Sequence, residues 1–188
     1  MKFMEWIQTR STGKNVALFF SLNMVFYLTI LFYSIPMVVR SAPDMKLFDV
    51  SPSGYSQEYA VSLLKAIGPE GRSLYLSLQL PLDFVYPGLF IISYPLLFTW
   101  LLKKNYDLRS KAYYALYLPI IAGLFDYLEN IFVILMLKAY PDLSQSLVAL
   151  ASFATVAKSV LSSIFFTLLM LSILQVVWKS VFNKRAQS

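Results

Sequence analysis

The sequence predicts an all-α fold: an integral membrane bundle of four transmembrane helices with a short interfacial helix in the first extracytoplasmic loop. Of the 188 residues, 58% are hydrophobic and only 14% are charged, whereas soluble domains carry about 25% charged residues. The apolar residues form four long blocks, each sufficient for a helix to cross a hydrocarbon core of about 30 Å. The net charge of +6 comes mainly from Lys and Arg residues near the block ends. These observations indicate one membrane domain over residues 1–188.

The chain contains no cysteine and no histidine. Disulfides, thiol chemistry, iron–sulfur ligation and histidine-dependent metal or haem sites are therefore excluded. We expect no cofactor and no metal, although an all-oxygen Mg²⁺ or Ca²⁺ site remains open in principle. Nucleic acid is not an expected partner, because no basic run with stacking aromatics lies outside the apolar blocks. The expected partners are membrane lipids and a small amphiphilic ligand, and a second copy or a larger membrane complex stays open.

The first transmembrane helix is expected over residues 16–39, after a short basic and partly amphipathic leader. This block exceeds the apolar core of a signal peptide, and Arg40 stands where a small residue would favour cleavage. The block therefore indicates a retained signal anchor. Asn23 interrupts its apolar character and is expected to hydrogen-bond to a neighbouring helix.

The outer loop, residues 40–73, is the one sizeable polar region and contains several prolines and glycines. Within it, residues 56–67 have helical spacing of their apolar side chains. Ser56 is the expected N-cap of this short helix, and Gly68 is the expected stop. We expect the helix to lie at the membrane interface or to act as a packed connector.

Three further spans are expected at residues 74–102, 112–137 and 147–178. The second span contains several prolines, which bend a helix and free a carbonyl group. Asp107 is a candidate cap for the third span.

The distribution of Lys and Arg predicts the orientation of the chain. Three lie in the leader, four in the loop at residues 103–111 and three in the tail, against five on the opposite side. This bias places both termini and the middle loop in the cytoplasm, and all three tryptophans fall on that side, as in an interfacial belt. The bacterial inner membrane is the expected location for so compact a chain, and an organelle membrane fits the same physics.

The third span carries the most informative pattern. At 3.6 residues per turn, one face combines small residues with polar ones inside an apolar block. This face consists of Pro119, Ala122, Gly123, Asp126, Glu129 and Asn130. Small residues permit a close helix approach, and carboxylates at membrane depth turn inward to a partner or a wet cavity.

Two other spans carry polar groups at a similar depth. The second span presents Asp83, Tyr86, Pro87, Phe90 and Tyr94 at helical spacing, and the fourth presents Ser152, Thr155, Lys158, Ser159 and Ser162. The charged residues of the second, third and fourth spans lie about 13–18 Å from the outer helix ends, at roughly 1.5 Å per residue. Lys158 is expected to pair with Asp126 or Glu129.

We interpret this cluster as the lining of a cavity that opens to the extracytoplasmic side and binds a lipid or small amphiphile. A charge cost repeated on three helices exceeds what packing register requires. The expected ligand-binding residues are Asp83, Tyr86, Asp126, Glu129, Asn130, Thr155 and Lys158. Tyr94 and Tyr127 are further candidates for the cavity wall. The role would be binding, assembly or assistance to transport.

Two alternatives remain open. In an intramembrane enzyme acting on a lipid-like substrate, Asp126 or Glu129 would be the general acid or base and Lys158 would tune its pKa. The same residues would instead form a structural polar network in a subunit of a larger complex. Conduction through the monomer is disfavoured, because Gln175 is the main polar residue of the inner half.

Overall fold

The structure, a computed structural model, describes residues 2–106 and 110–185. In this part of the chain, all regular secondary structure is helical. Four helices are long and apolar enough to cross a membrane, namely Gly13–Val38, Gly68–Leu102, Lys111–Ala139 and Gln145–Val181. The prediction of an all-α chain with four helices long and apolar enough to span a membrane is therefore confirmed for the described residues.

Six helices follow one another along the described chain. They are α1 (Lys2–Arg10), α2 (Gly13–Val38), α3 (Gln57–Ala66), α4 (Gly68–Leu102), α5 (Lys111–Ala139) and α6 (Gln145–Arg185). Two spans contain a π-helical segment: Ile30–Ser34 in α2 and Tyr75–Gln79 in α4. A 3₁₀ turn, Phe48–Val50, lies in the loop between α2 and α3.

Helix α4 lies at the centre of the bundle, since it packs against α2 on one side and α5 on the other. Helix α5 in turn packs along α6. In the most apolar stretch of α4, 56% of the residues are buried, whereas in the corresponding stretches of α2 and α6 only 17% are buried. Helices α2 and α6 therefore present the largest exposed apolar surfaces of the four spans.

The buried apolar side chains form two separate clusters. One includes Leu64, Tyr75 and Val133 near the outer loop, and the other includes Phe90 and Phe165 nearer the opposite end. Along α4, α5 and α6, the polar residues of the predicted cluster lie between the two. The fold thus holds a polar layer between two apolar cores.

The short outer helix begins where the sequence predicts. The Ser56 side chain accepts a hydrogen bond from the backbone N–H of Tyr59, as an N-cap does. Gly68 ends the helix with φ of +67°, a conformation that favours glycine. The apolar residues Leu63 and Leu64 are fully buried, so this face of α3 packs onto the bundle.

The structure contradicts one expectation about an individual residue, and another falls outside the described residues. Asn23 is fully buried, but neither of its amide atoms has a hydrogen-bond partner among the described residues, so the predicted interhelical bond is wrong. Phe20 and Tyr27, one turn to either side of Asn23, contact aromatic rings of α4, so the facing surface is aromatic. Asp107 lies outside the described residues, and Ser110 caps α5 through the N–H of Ala112.

Candidate functional site

Lys158 of α6 forms ion pairs with two acids of α5. Its Nζ lies 2.8 Å from Asp126 Oδ1 and is also paired with Glu129. The two acids are three residues apart, so one helix face presents both to the same ammonium group. The prediction that Lys158 pairs with Asp126 or Glu129 is confirmed, and the structure adds that it pairs with both.

Glu129 is held from a second direction. Thr155 Oγ1, one turn before Lys158 on α6, lies 2.5 Å from Glu129 Oε1 and donates a hydrogen bond to it. The Glu129 side chain is fully buried, whereas the side chains of Lys158 and Asp126 are 15% and 11% exposed. Glu129 therefore serves mainly as an internal anchor between α5 and α6.

Asn130 joins α5 to α4. Its Nδ2 donates to the backbone carbonyl of Asp83 at 2.7 Å. This carbonyl belongs to the α4 turn that precedes Pro87, whose ring nitrogen cannot donate to it. Asn130 thus satisfies a carbonyl that proline leaves free. The Asp83 side chain is buried, and its Oδ2 has no hydrogen-bond partner among the described residues.

Asp49 of the outer loop is a site residue that the sequence analysis missed. Tyr75 donates to Asp49 Oδ2 at 2.9 Å, and Gln79 Nε2 lies 3.4 Å from the same oxygen. Ser34 of α2 donates in turn to Gln79 Oε1. The only local signal is an acid flanked by the apolar residues Phe48 and Val50.

Burial raises the pKa of Asp49 above its ordinary value of 3.8, and the Lys158 ammonium and the Tyr75 hydroxyl partly oppose this effect. Burial likewise raises the pKa of Tyr55. The outer loop therefore brings an acidic side chain into a poorly hydrated setting next to the ion pair of the spans.

The outer loop is fixed onto α6 at one serine. The backbone N–H of Tyr55 donates to Ser152 Oγ at 2.9 Å. Gly54 has φ of +80°, and a Cβ there would lie 2.5 Å from the same Oγ, so glycine is required on both counts. The Phe48 ring packs 4.6 Å from that of Tyr55, centroid to centroid. These contacts hold Asp49 and Val50 over the bundle.

A cavity of about 340 Å³ lies beside the ion pair. All four spans and the outer loop contribute to its wall. The lining residues are Tyr27, Asp49, Val50, Tyr86, Phe90, Ala122, Gly123, Asp126, Lys158, Ser159, Ser162 and Phe166. The cavity is thus amphipathic, since its lining combines charged and hydroxyl groups with aromatic rings.

The predicted ligand-binding residues divide into two groups. Three line the cavity: Tyr86, Asp126 and Lys158. Four are buried next to them without lining it: Asp83, Glu129, Asn130 and Thr155. The structure therefore gathers all seven around one region while separating the cavity wall from its support.

Two of the three tyrosines proposed as cavity wall lie elsewhere. Tyr94 packs against Phe90 and Phe165 in the apolar cluster farther from the outer loop. Its position two turns from Tyr86 takes it past the cavity. Tyr127 packs against Phe84, and its hydroxyl approaches Gly88, so it belongs to the α4–α5 contact.

The described residues contain no group of three or more acidic side chains placed to hold a metal ion. What the cluster does contain is four carboxyl groups, those of Asp49, Asp83, Asp126 and Glu129, next to the single ammonium of Lys158. This arrangement can hold or move protons, or bind a polar group that enters the cavity.

No protein-family model, curated protein or solved structure matches the chain. The fold and the site define its class directly. The chain is a multi-pass helical protein of the membrane type whose spans enclose a few buried charged residues.

Proposed function

We propose that this protein binds the polar end of a lipid or small amphiphile in the cavity between its four spans, in a binding, assembly or transport-accessory role. The observation that carries the proposal is the cavity itself, bordered by the Asp126–Lys158 ion pair. Its volume of about 340 Å³ falls at the lower end of small-molecule sites and suits a head group better than a whole lipid.

The two groups of site residues have different roles in this proposal. Asp126 and Lys158 would contact the ligand, together with Tyr86, since these side chains line the cavity. Glu129 and Thr155 would hold the ion pair in place from behind, since both are fully buried. The structural-network alternative gives these two residues the same supporting role.

Acid–base chemistry on a bound lipid-like substrate is the second candidate function. It is favoured by Asp126, whose Oδ1 is paired with Lys158 while no hydrogen bond joins its Oδ2 to any described residue. A carboxylate in a cavity with one free oxygen is placed to take or give a proton. Under this candidate, Asp126→Asn abolishes substrate turnover while ligand retention persists.

The first test of ligand binding is native mass spectrometry combined with lipidomics on protein purified in mild detergent. Ser162 lines the cavity and its neighbour Ser163 is exposed, so Ser162→Leu and Ser163→Leu form a matched pair. We expect the wild type and Ser163→Leu to retain a defined lipid or amphiphile that Ser162→Leu has lost. Equal retention by both variants, or no specific ligand on the wild type, would overturn the proposal.

We also propose that the protein lies in the bacterial inner membrane with both termini in the cytoplasm. Helix α3 would then lie at the extracytoplasmic surface of that membrane. The Lys and Arg bias along the chain supports this orientation. Since the chain has no cysteine, single cysteines can report it. Ser53→Cys should react with a membrane-impermeant maleimide on intact cells, and Lys111→Cys only after lysis. The reverse pattern would contradict the orientation.

A further inference from the structure

The charge balance of the cluster constrains what can enter the cavity. Four carboxyl groups lie around one ammonium, and a buried ion without a partner is strongly disfavoured. Lys158 is already paired with two of them. Asp126 lines the cavity, and no hydrogen bond joins its Oδ2 to any described residue. Asp49 also contributes to the lining, although its Oδ1 is itself buried and has no hydrogen-bond donor among the described residues. The cavity therefore presents the carboxyl group of Asp126, with the acidic side chain of Asp49 next to it.

The cavity wall also includes a row of aromatic rings from three spans. Tyr27 of α2 lies 5.9 Å from Tyr86 of α4, centroid to centroid. Tyr86 is 5.9 Å from Phe90, and Phe90 is 6.1 Å from Phe166 of α6. All four rings line the cavity. Aromatic faces attract cations through their quadrupole, most strongly where water is excluded.

We propose that the head group held in this cavity is cationic, an amine or a quaternary ammonium. This inference rests on the proposed function, since it names the chemical class of the ligand for the same cavity. The cation would lie between the carboxyl group of Asp126 and the aromatic row, with Asp49 nearby. It would add positive charge to a cluster that has four carboxyl groups and one ammonium.

An anionic head group fits the same cavity less well. Among the described residues, the ammonium of Lys158 is the one cation that lines the cavity, and Asp126 and Glu129 already engage it. A phosphate or carboxylate would have to displace one of these acids and leave it unpaired, while also meeting Asp49. A neutral head group would leave the excess of carboxyl groups unchanged.

The test uses the full chain in a neutral maltoside detergent and three probes with the same alkyl chain: octyltrimethylammonium, 1-octanol and octyl phosphate. Dissociation constants are measured for wild type, Asp126→Asn, Tyr86→Leu and the control Tyr114→Leu, whose tyrosine is exposed far from the cavity lining. We expect octyltrimethylammonium to bind wild type about tenfold or more tightly than octanol, as a desolvated cation–π and ion-pair site predicts.

The variants should remove this preference selectively. Asp126→Asn and Tyr86→Leu are expected to reduce binding of the ammonium probe toward that of octanol, while Tyr114→Leu leaves it unchanged. Should Asp126→Asn fail to fold, the comparison of the three probes on wild type and on Tyr86→Leu still decides whether the cavity prefers a cationic head group.

The outcomes separate the two proposals. If octanol binds as tightly as the ammonium probe, or octyl phosphate binds best, the cationic head group is overturned and amphiphile binding stands. If no probe binds, the cationic head group is overturned, and if no lipid is retained on purification either, both proposals fail.

A second measurement, in which lipids in nanodiscs compete with the ammonium probe, distinguishes the source of the cation. Competition by phosphatidylethanolamine alone supports a lipid head group, no lipid competition supports a free cationic amphiphile, and equal competition by phosphatidylglycerol overturns the inference.

Discussion

Lys158 Nζ lies 2.8 Å from Asp126 Oδ1, and this pair joins α6 to α5 at the edge of the cavity. Because Glu129 shares the same ammonium, one lysine neutralises charge from two acids of one helix face. A single cation thus controls both the α5–α6 packing and the electrostatics of the cavity wall.

Replacing Lys158 with methionine should destabilise the protein strongly. The change keeps an unbranched apolar chain of similar size but leaves Asp126 and Glu129 without a cation, and removing one partner of a buried ion pair typically costs about 3–5 kcal/mol. The loss is measured as the free energy of unfolding in mixed micelles, with unfolding followed by the circular dichroism signal of the helices. Adding Glu129→Gln should recover part of it. A variant as stable as wild type would show that the pair contributes little.

Thr155→Val should reduce stability by about 1–3 kcal/mol, because it leaves a buried carboxylate oxygen of Glu129 without its donor. Thr167→Val is the matched control on the same helix. Thr167 is exposed and its hydroxyl donates only to a backbone carbonyl four residues earlier. The unfolding free energies of the two variants are compared under one detergent condition. Equal effects would argue against a role for the Thr155–Glu129 bond.

Gly123→Ala should weaken the contact between α4 and α5. A Cβ at this position would lie 2.5 Å from Ile91 Cγ1, and overpacking of this kind costs about 1–3 kcal/mol. Ile91→Ala in the same chain removes the clashing atoms and should restore most of the stability. Thermal unfolding of the single and double variants tests this. A double variant less stable than Gly123→Ala would contradict the steric explanation.

Asp49→Asn should change how stability depends on pH. Burial raises the pKa of Asp49 in the folded protein above the ordinary 3.8. A carboxyl of this kind favours folding when protonated, so its contribution falls as pH rises from 3.8 through the raised value and is constant above it. Asparagine does not titrate.

The measurement is the Tm of wild type and Asp49→Asn over a pH series. The difference in Tm should move in favour of the variant as pH rises through this window. Lys158, Asp126 and Tyr75 are present in both proteins, so their contributions are common to both curves. Parallel curves would show that the environment of Asp49 does not disfavour its charged form.

The local sequence pattern was sufficient to predict the four spans and the buried face of α5. In lipid, a helix satisfies its own backbone hydrogen bonds, so a long apolar block is enough to define it. Helical periodicity then assigns Gly123, Asp126 and Glu129 to one face, and all three are buried. The pairing of Lys158 also followed, since a buried ammonium at similar depth has few other partners.

Only the tertiary structure decided which polar groups border the cavity. Asp49 reaches Gln79 because Gly54 and Tyr55 fix the loop onto Ser152, and no local spacing encodes that contact. Likewise, Tyr86 and Tyr94 share a helical face in sequence, yet only Tyr86 meets the cavity. Periodicity reports direction around a helix axis, whereas a cavity depends on how far each neighbouring helix and loop stands from that face.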